Sequence, residues 1–304
     1  MSTSTKKPKL TIGMPAYNSE KFIRNALDSL LSQTFTDFEL IISDNASTDS
    51  THAICQEYER KDERIHYIRQ NQNMGPIWNF NFVLQEAESE YFMWAAADDY
   101  WRPTFVEKNV RALESDEMIV GSMSDIELFR SLTKKLKPDL VDPANKNTKK
   151  FQYVYPTSGS FEKRINTYLR FFQASIVYGI YRTEKMKGSF IHSRYFWAMD
   201  LAIVLNLLKH GNLYVVDEIL MYRYVEDKPS KSIIQYQLKA KIPLIEIVFC
   251  EFPFVFWCLK NLGLKIFMKN FHIFVKLCVM GEFTILSETC RMIKRMIRGQ
   301  EKFW

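Results

Sequence analysis

The chain has 304 residues, 47% of them hydrophobic, enough for one large domain or a domain with an appendage around an ample core. Five scattered cysteines, Cys55, Cys250, Cys258, Cys278 and Cys290, form no C-x-x-C pair or Cys/His cluster, so neither a zinc site nor a disulfide framework is suggested and a reducing cytoplasm is the easier reading. The net charge of +6 is uneven: from Lys231 onward there are twelve Lys/Arg against five Asp/Glu, so a near-neutral body carries a basic, aromatic tail that suits an attachment surface and not a nucleic-acid groove.

The N-terminal stretch MSTSTKKPKL lacks the apolar region of a signal peptide and reads as a short polar tail. KLTIGM (Lys9–Met14) predicts a first buried strand. SEKFIRNALDSLLSQ follows with Phe22, Ile23, Ala26, Leu27, Leu30 and Leu31 at helical spacing, and Asn18 or Ser19 is placed to cap it. FELIIS (Phe38–Ser43) predicts a second strand and ASTDSTHAICQEYER a second helix. IHYI (Ile65–Ile68), YFMWA (Tyr91–Ala95) and MIVGSM (Met118–Met123) predict further strands, with a helix over roughly 77–88 between the first two.

This alternation predicts a mostly parallel sheet with helices on both faces. In such sheets ligands bind beyond the carboxyl ends of the strands. Pro15, Tyr17 and Asn18 follow the first strand, Asp44 and Asn45 the second, and Asp98 and Asp99 follow YFMWA. Three polar clusters therefore fall on one sheet edge and predict a site there.

Residues 126–160 are polar and turn-rich, and Arg130–Lys150 predicts a loop over or beside that site. FWAMDLAIVLNLLKHG predicts an amphipathic helix ending at Gly211, and NLYVVDEILMYRYV a hairpin-like strand pair. The tail, 231–304, is apolar but interrupted by Glu246, Glu251 and Pro253, so it holds no uncharged run of about 18–20 residues that could span a bilayer. RMIKRMIRG, near its end, has the basic amphipathic pattern of helices that lie in a membrane interface.

Several phosphate-binding schemes are excluded. Gly13 stands alone, with no G-x-G-x-x-G, and there is no P-loop and no G-x-S-x-G elbow. With glycine so scarce, a nucleotide diphosphate would be held through a metal. Adjacent Asp98 and Asp99 at a strand end suit a hard divalent cation.

The stretches TIGMPAYNSEKFIRNALDSLLSQTFTDFELIISDNASTDST and NQNMGPIWNFNFVLQEAESEYFMWAAADDYWRP resemble the family 2 glycosyltransferases, inverting, nucleotide-sugar-dependent enzymes of the GT-A fold. The resemblance continues more weakly through AMDLAIVLNLLKHG and LMYRYVEDKPSKS and covers roughly Lys9–Ser232. It implies a GT-A domain over 1–230, with a nucleotide-binding half at about 9–125 and an acceptor half at about 126–230. Residues 231–304 are then a helical extension that associates with membrane or with another chain.

Position by position, the resemblance implies that Pro15, Ala16 and Tyr17 line the nucleobase pocket with Glu20 nearby. Asp44 would accept a hydrogen bond from the base beside Asn45. Asn73, Gly75 and Asn79 would flank ribose and sugar, Asp98 and Asp99 would hold ribose and a divalent metal (Mn2+ or Mg2+), and Asp200 would be the general base. The family's Asp-x-Asp-Asp motif has Ala96 in its first place here, and Val225 stands where many relatives carry a histidine; Arg223, Lys228 and Lys231 are alternative cations for the diphosphate.

The implied partners are a nucleotide diphosphate sugar as donor, a lipid-linked or glycan acceptor, and a membrane surface met through the tail, with no nucleic acid and with room for a homo-oligomer. The implied place is the cytoplasmic face of the membrane. Two other readings stay open: a polyprenyl-phosphate glycosyl synthase, whose ionised acceptor needs no strong base, and a nucleotide-sugar-binding scaffold with lapsed catalysis.

Overall fold

The computed structural model describes residues 7–129, 150–152, 154–171, 174–191, 198–225, 249 and 251–280. The Arg130–Lys150 loop (apart from Lys150), Lys228, Lys231 and RMIKRMIRG lie outside them.

Among the described residues one nine-stranded sheet runs in the order β3-β2-β1-β4-β8-β6-β9-β5, with β7 paired to β6. The strands are β1 (Leu10–Ala16), β2 (Phe38–Asp44), β3 (Ile65–Arg69), β4 (Tyr91–Trp94), β5 (Tyr100–Trp101), β6 (Ile119–Phe129), β7 (Lys150–Gln152), β8 (Ile180–Arg182) and β9 (Asn212–Tyr224). The half running β3-β2-β1-β4 is entirely parallel, as the strand–helix alternation predicts. From β8 outward the pairing is mixed: β8 is antiparallel to both β4 and β6, whereas β9 is parallel to β6 and antiparallel to β5.

In β1 every residue but Pro15 is buried, so both faces of this strand are covered, as parallel strands require. Among the helices, α1 (Ile23–Leu31), α2 (Thr51–Glu59), α3 (Pro76–Glu86) and α4 (Phe105–Ser115) alternate with the first strands; α3 packs on β1 and β2, and α4 on β6 and β9. Gly13 lets α3 approach closely. A Cβ there would stand 2.8 Å from Val83 Cγ2 and 3.0 Å from Phe92 Cε2. Gly13→Ala is therefore expected to cost about 1–3 kcal/mol by overpacking, read as a lower midpoint in chemical denaturation; an unchanged midpoint would contradict that close approach.

The second half adds α5 (Phe161–Phe171), a 3-10 turn (Ala174–Tyr178), α6 (Thr183–Ser189), α7 (Met199–Leu207), α8 (Phe252–Leu262) and α9 (Leu264–Lys269). Two elements differ from the sequence expectation. α7 is not amphipathic: seven of its nine residues are buried, because it is enclosed by α6, the 3-10 turn and α8. NLYVVDEILMYRYV is one strand, β9, and not a hairpin. Asp217 and Glu218 form its bulge, since Val216 pairs with Ser124 and Ile219 already with Asp125. No helix among the described residues is long and apolar enough to cross a membrane.

Candidate active site

The carboxyl ends of β1, β2 and β4 lie side by side, with Ala16 in register with Asp44 and Gly13 with Trp94. This brings the three polar clusters to one edge, as expected. Three non-glycine residues among those described adopt left-handed backbone: Asn18 (φ 49°) and Ala46 (φ 59°), just after β1 and β2, and Ala198 (φ 65°), just before Met199–Asp200 at the start of α7. Such conformations cost free energy and concentrate at functional sites.

Tyr17 is the open element of the first cluster, 46% exposed, while Pro15 is half-buried and Ala16 buried. Glu20 fastens this loop to the start of α2: its Oε2 accepts the Ser50 N–H at 3.0 Å, and its own N–H donates to Asp49 Oδ2 at 3.1 Å. Asp44 is fully buried. Its Oδ1 accepts the Ser47 N–H at 2.8 Å and its Oδ2 the Tyr67 hydroxyl at 2.7 Å. Burial and this bond to Asp44 push the Tyr67 hydroxyl pKa up.

Asn45 and Asn79 spend their amides on the protein. Asn45 Nδ2 donates to Asn73 Oδ1 (3.0 Å) and to the Gly75 carbonyl (3.1 Å), and its Oδ1 accepts the Met74 N–H (2.9 Å). Asn79 Oδ1 accepts the Ser43 hydroxyl and its Nδ2 donates to the Ser43 carbonyl. Gly75, at φ 87°, turns the chain into α3, whose first residue is Pro76. These four residues thus set the loop beside the edge of β2, and what the geometry shows for Asn45 and Asn79 is positioning.

The carboxylate pair is split between two environments. Asp98 is half-buried; Asp99 is 2% exposed. β5, the two residues after Asp99, pairs with Met221 and Tyr222 of β9, and this pairing draws Asp99 against the end of β9. There Asp99 Oδ1 accepts the Tyr224 N–H at 3.0 Å, but Oδ2 is buried with no hydrogen-bond partner among the described residues. Burial first, then the Asp98 charge, raise the Asp99 pKa well above the ordinary carboxylate range, against opposing effects of Arg223 and the Tyr224 N–H. Among the described residues no third carboxylate, His or Cys joins the pair.

Asp200 sits in the first turn of α7, where a negative charge is favoured by the helix end. Its Oδ1 accepts the Leu201 N–H at 2.9 Å. Burial raises its pKa, while that bond and Arg223 lower it. Asp200 and Arg223 line a cavity of about 450 Å³ whose wall is otherwise mostly apolar, including Phe80, Trp94, Phe190 and Ile203. Arg223 Nη1 donates to Ser175 Oγ at 2.6 Å, and its guanidinium lies 5.1 Å from the Tyr178 ring centre. One guanidinium therefore acts on both carboxyls, Asp99 and Asp200, that the chain order keeps a hundred residues apart.

Sequence reasoning missed Tyr67, Ser175 and Tyr178. Alternation in IHYI places Tyr67 on the Ile65 face, but nothing local names Asp44 as its partner. Ser175 and Tyr178 lie in a 3-10 turn with no periodic pattern.

Residues 11–161 match glycosyl transferase family 2. The chain belongs to that family. Relatives include TuaG of Bacillus subtilis (strain 168), named as a putative teichuronic acid biosynthesis glycosyltransferase, 36% identical over 104 residues, which are 34% of this chain and 41% of TuaG. The GalNAc(5)-diNAcBac-PP-undecaprenol beta-1,3-glucosyltransferase of Campylobacter jejuni is 36% identical over 93 residues, 30% of either chain. The aligned stretches thus span less than half the length of these relatives. Among solved structures, S. aureus TarS 1-349 in complex with UDP has a TM-score of 0.51 at 21% identity, covering 80% of this chain and 66% of that one. The mannosyltransferase PcManGT from Pyrobaculum calidifontis in complex with GDP-Man and Mn2+ has a TM-score of 0.57 at 13% identity, covering 96% and 76%. At those identities the likeness is one of fold, and it is the GT-A arrangement that the family 2 sequence implies.

Proposed function

We propose that this family 2 glycosyltransferase is an inverting enzyme. It moves a sugar from a nucleotide diphosphate sugar to a hydroxyl of a lipid-linked or polysaccharide acceptor, with residues 1–230 as the transferase domain. The observation that carries this reading is Asp99 Oδ2, a buried carboxylate oxygen with no hydrogen-bond partner among the described residues, beside a second carboxylate at the carboxyl ends of the strands. A bare, hard oxygen in that place fits a divalent cation, Mn2+ or Mg2+, shared by Asp98 and Asp99. When bound, such a cation supplies charge neutralisation to the leaving diphosphate.

The chain's own residues do the rest. Asp200 takes the proton of the acceptor hydroxyl as that oxygen bonds to the sugar C1 from the face opposite the diphosphate. The C1–O bond to the diphosphate breaks, the electron pair leaves with it, and the anomeric configuration inverts. With Oδ1 occupied by the Leu201 N–H, Oδ2 is the oxygen assigned to the proton. Arg223, already near both carboxyls, adds positive charge where negative charge collects.

Pro15, Ala16 and Tyr17 wall the base pocket in this reading. Asp44 accepts from the base as the Tyr67 hydroxyl gives way. Asn73 and Gly75 border the ribose, held there by Asn45, while Asn79 and Glu20 brace the edge. Tyr67→Phe, by removing the competing donor, is then expected to tighten nucleoside diphosphate binding roughly 2- to 10-fold, measured by calorimetry. Unchanged or weaker binding would return Asp44 to a purely structural role.

The apolar wall beside Asp200 favours an acceptor whose hydroxyl or phosphate adjoins an apolar portion. A polyprenyl-phosphate acceptor is the second reading, distinguished by activity that survives Asp200→Asn. The enzyme sits peripherally at the cytoplasmic face of the membrane, attached through residues 231–304. Incubation with Mn2+ or Mg2+ and a donor panel that includes UDP-GlcNAc and GDP-mannose tests the proposal. Release of nucleoside diphosphate from one donor, lost on chelation, is expected; no release from any donor in either metal would overturn it.

A further inference from the structure

The C-terminal helical arm carries three separate faces. α9 and the helical residues 271–280 are continuous through Asn270, whose N–H donates to the Ile266 carbonyl and whose carbonyl accepts the Phe274 N–H. Ile266, Phe267, Asn270 and Phe274 are buried and form the face that packs on the body. Leu264, Met268, Phe271, Val275 and Val279 recur at steps of four, three, four and four, so they share one side of the helix, and all five are exposed. Lys265, Lys269, His272 and Lys276, at the same spacing, fall on a third side that borders this apolar row and turns toward α5.

The third side is tied to a groove. Lys265 and Lys269 bridge to Glu162 of α5 at 3.0 and 2.8 Å, and Asn270 donates to Asn166 at 2.7 Å. Between α5 and the arm lies a cavity of about 580 Å³ lined by Lys163, Arg170, Lys269 and His272, with Glu162 the one carboxylate among its described lining residues. At its α5 end Phe171 is exposed, as is Tyr155, stacked on it at 3.8 Å. An exposed apolar row of this length is unusual for a surface that meets only water.

We infer that this arm is a membrane-docking surface for anionic phospholipid, with the row Leu264–Met268–Phe271–Val275–Val279 entering the interface and the Lys163/Arg170/Lys269 groove facing phosphate headgroups. The charge decides in favour of lipid. A helix that pairs with another chain flanks its apolar seam with charges of both signs, whereas here the charged side chains from Lys260 to Met280 are all lysines, with His272 among them and no Asp or Glu, the pattern of a helix lying on an anionic bilayer. The inference rests on the peripheral-membrane part of the proposed function and is independent of its chemistry.

Flotation of the full chain with vesicles tests it. Wild type is expected to float with phosphatidylcholine vesicles containing phosphatidylglycerol, less with phosphatidylcholine alone, and less again as salt is raised. Met268→Glu/Phe271→Glu, and separately Lys163→Glu/Arg170→Glu, are each expected to lower the bound fraction about tenfold or more. Circular dichroism melting establishes that each variant stays folded, and the solvent-exposed apolar pair leaves the melting unchanged. If wild type floats and both variants float equally well, this surface is wrong while the peripheral reading stands. If wild type does not float, both fall. If the apolar pair instead disrupts a dimer seen by light scattering and flotation is absent, the face belongs to a second copy of the chain and the lipid assignment is overturned.

Discussion

Replacing Asp200 by Asn is expected to lower kcat by about 10²–10⁴-fold, the usual contribution of a positioned general base. Nucleoside diphosphate affinity should stay close to wild type, because the loss falls on the proton-transfer step and not on the donor pocket. Asn preserves the Oδ1 that accepts the Leu201 N–H, so the start of α7 keeps its geometry. The pH profile gives a second readout. Burial raises the Asp200 pKa above the ordinary carboxylate range, partly offset by the Leu201 N–H and Arg223. Activity therefore falls as pH drops through that raised value, at a higher pH than an exposed Asp would give. Arg223→Ala removes a lowering influence and is expected to move this acid limb upward. Steady-state kinetics across pH on the three proteins checks it, and an Asp200→Asn enzyme at wild-type rate with a hydroxyl acceptor would remove Asp200 from catalysis.

Asp99→Asn should separate stability from function. In the metal-free protein Asp99 is a buried carboxyl with one bare oxygen beside Asp98, and such a group costs about 1–3 kcal/mol. Because its folded pKa is raised, its penalty is absent below the ordinary carboxylate pKa and grows as pH rises through the folded value. The variant is thus expected to melt a few degrees higher than wild type near neutral pH without metal, with the gap closing in acid. Adding Mn2+ with nucleoside diphosphate should raise the wild-type melting temperature and leave the variant nearly unmoved, together with at least a hundredfold loss of transfer. A variant less stable than wild type without metal would mean that Asp99 is satisfied in some other way.

Much of this site was legible because strand ends are legible. LTIGMPA, FELIISD and YFMW are short apolar runs, each closed by polar residues, and parallel pairing puts such ends together without reference to any side-chain contact. What stayed hidden depends on partners far along the chain. Asp44 reads in sequence as a base acceptor, and the Tyr67 hydroxyl that occupies its second oxygen comes from another strand. Likewise, nothing in AAADDYW shows that Tyr100 and Trp101 would pair with β9 and fix one of the two aspartates against Tyr224. The β9 error has a local cause: Asp217-Glu218 looks like a turn in a polar–apolar reading, but a bulge accommodates both residues on the exposed side, where Glu218 meets Lys108. The tail was legible in charge only; its division into buried, apolar and basic sides needed the packing of α9 on α5.

In the proposed mechanism the two halves of the chain meet at one metal-bound nucleotide. An electron-density map of the protein with a nucleoside diphosphate and Mn2+, with anomalous differences recorded for manganese, tests this most directly. The prediction is a manganese peak in direct coordination with Asp99 or Asp98, bridging to the diphosphate, with the base against Tyr17 and Asp200 facing the sugar side of the same cleft. Nucleotide bound elsewhere, or bound at this edge with no manganese at the aspartate pair and Asp99 Oδ2 still unpartnered, would contradict it.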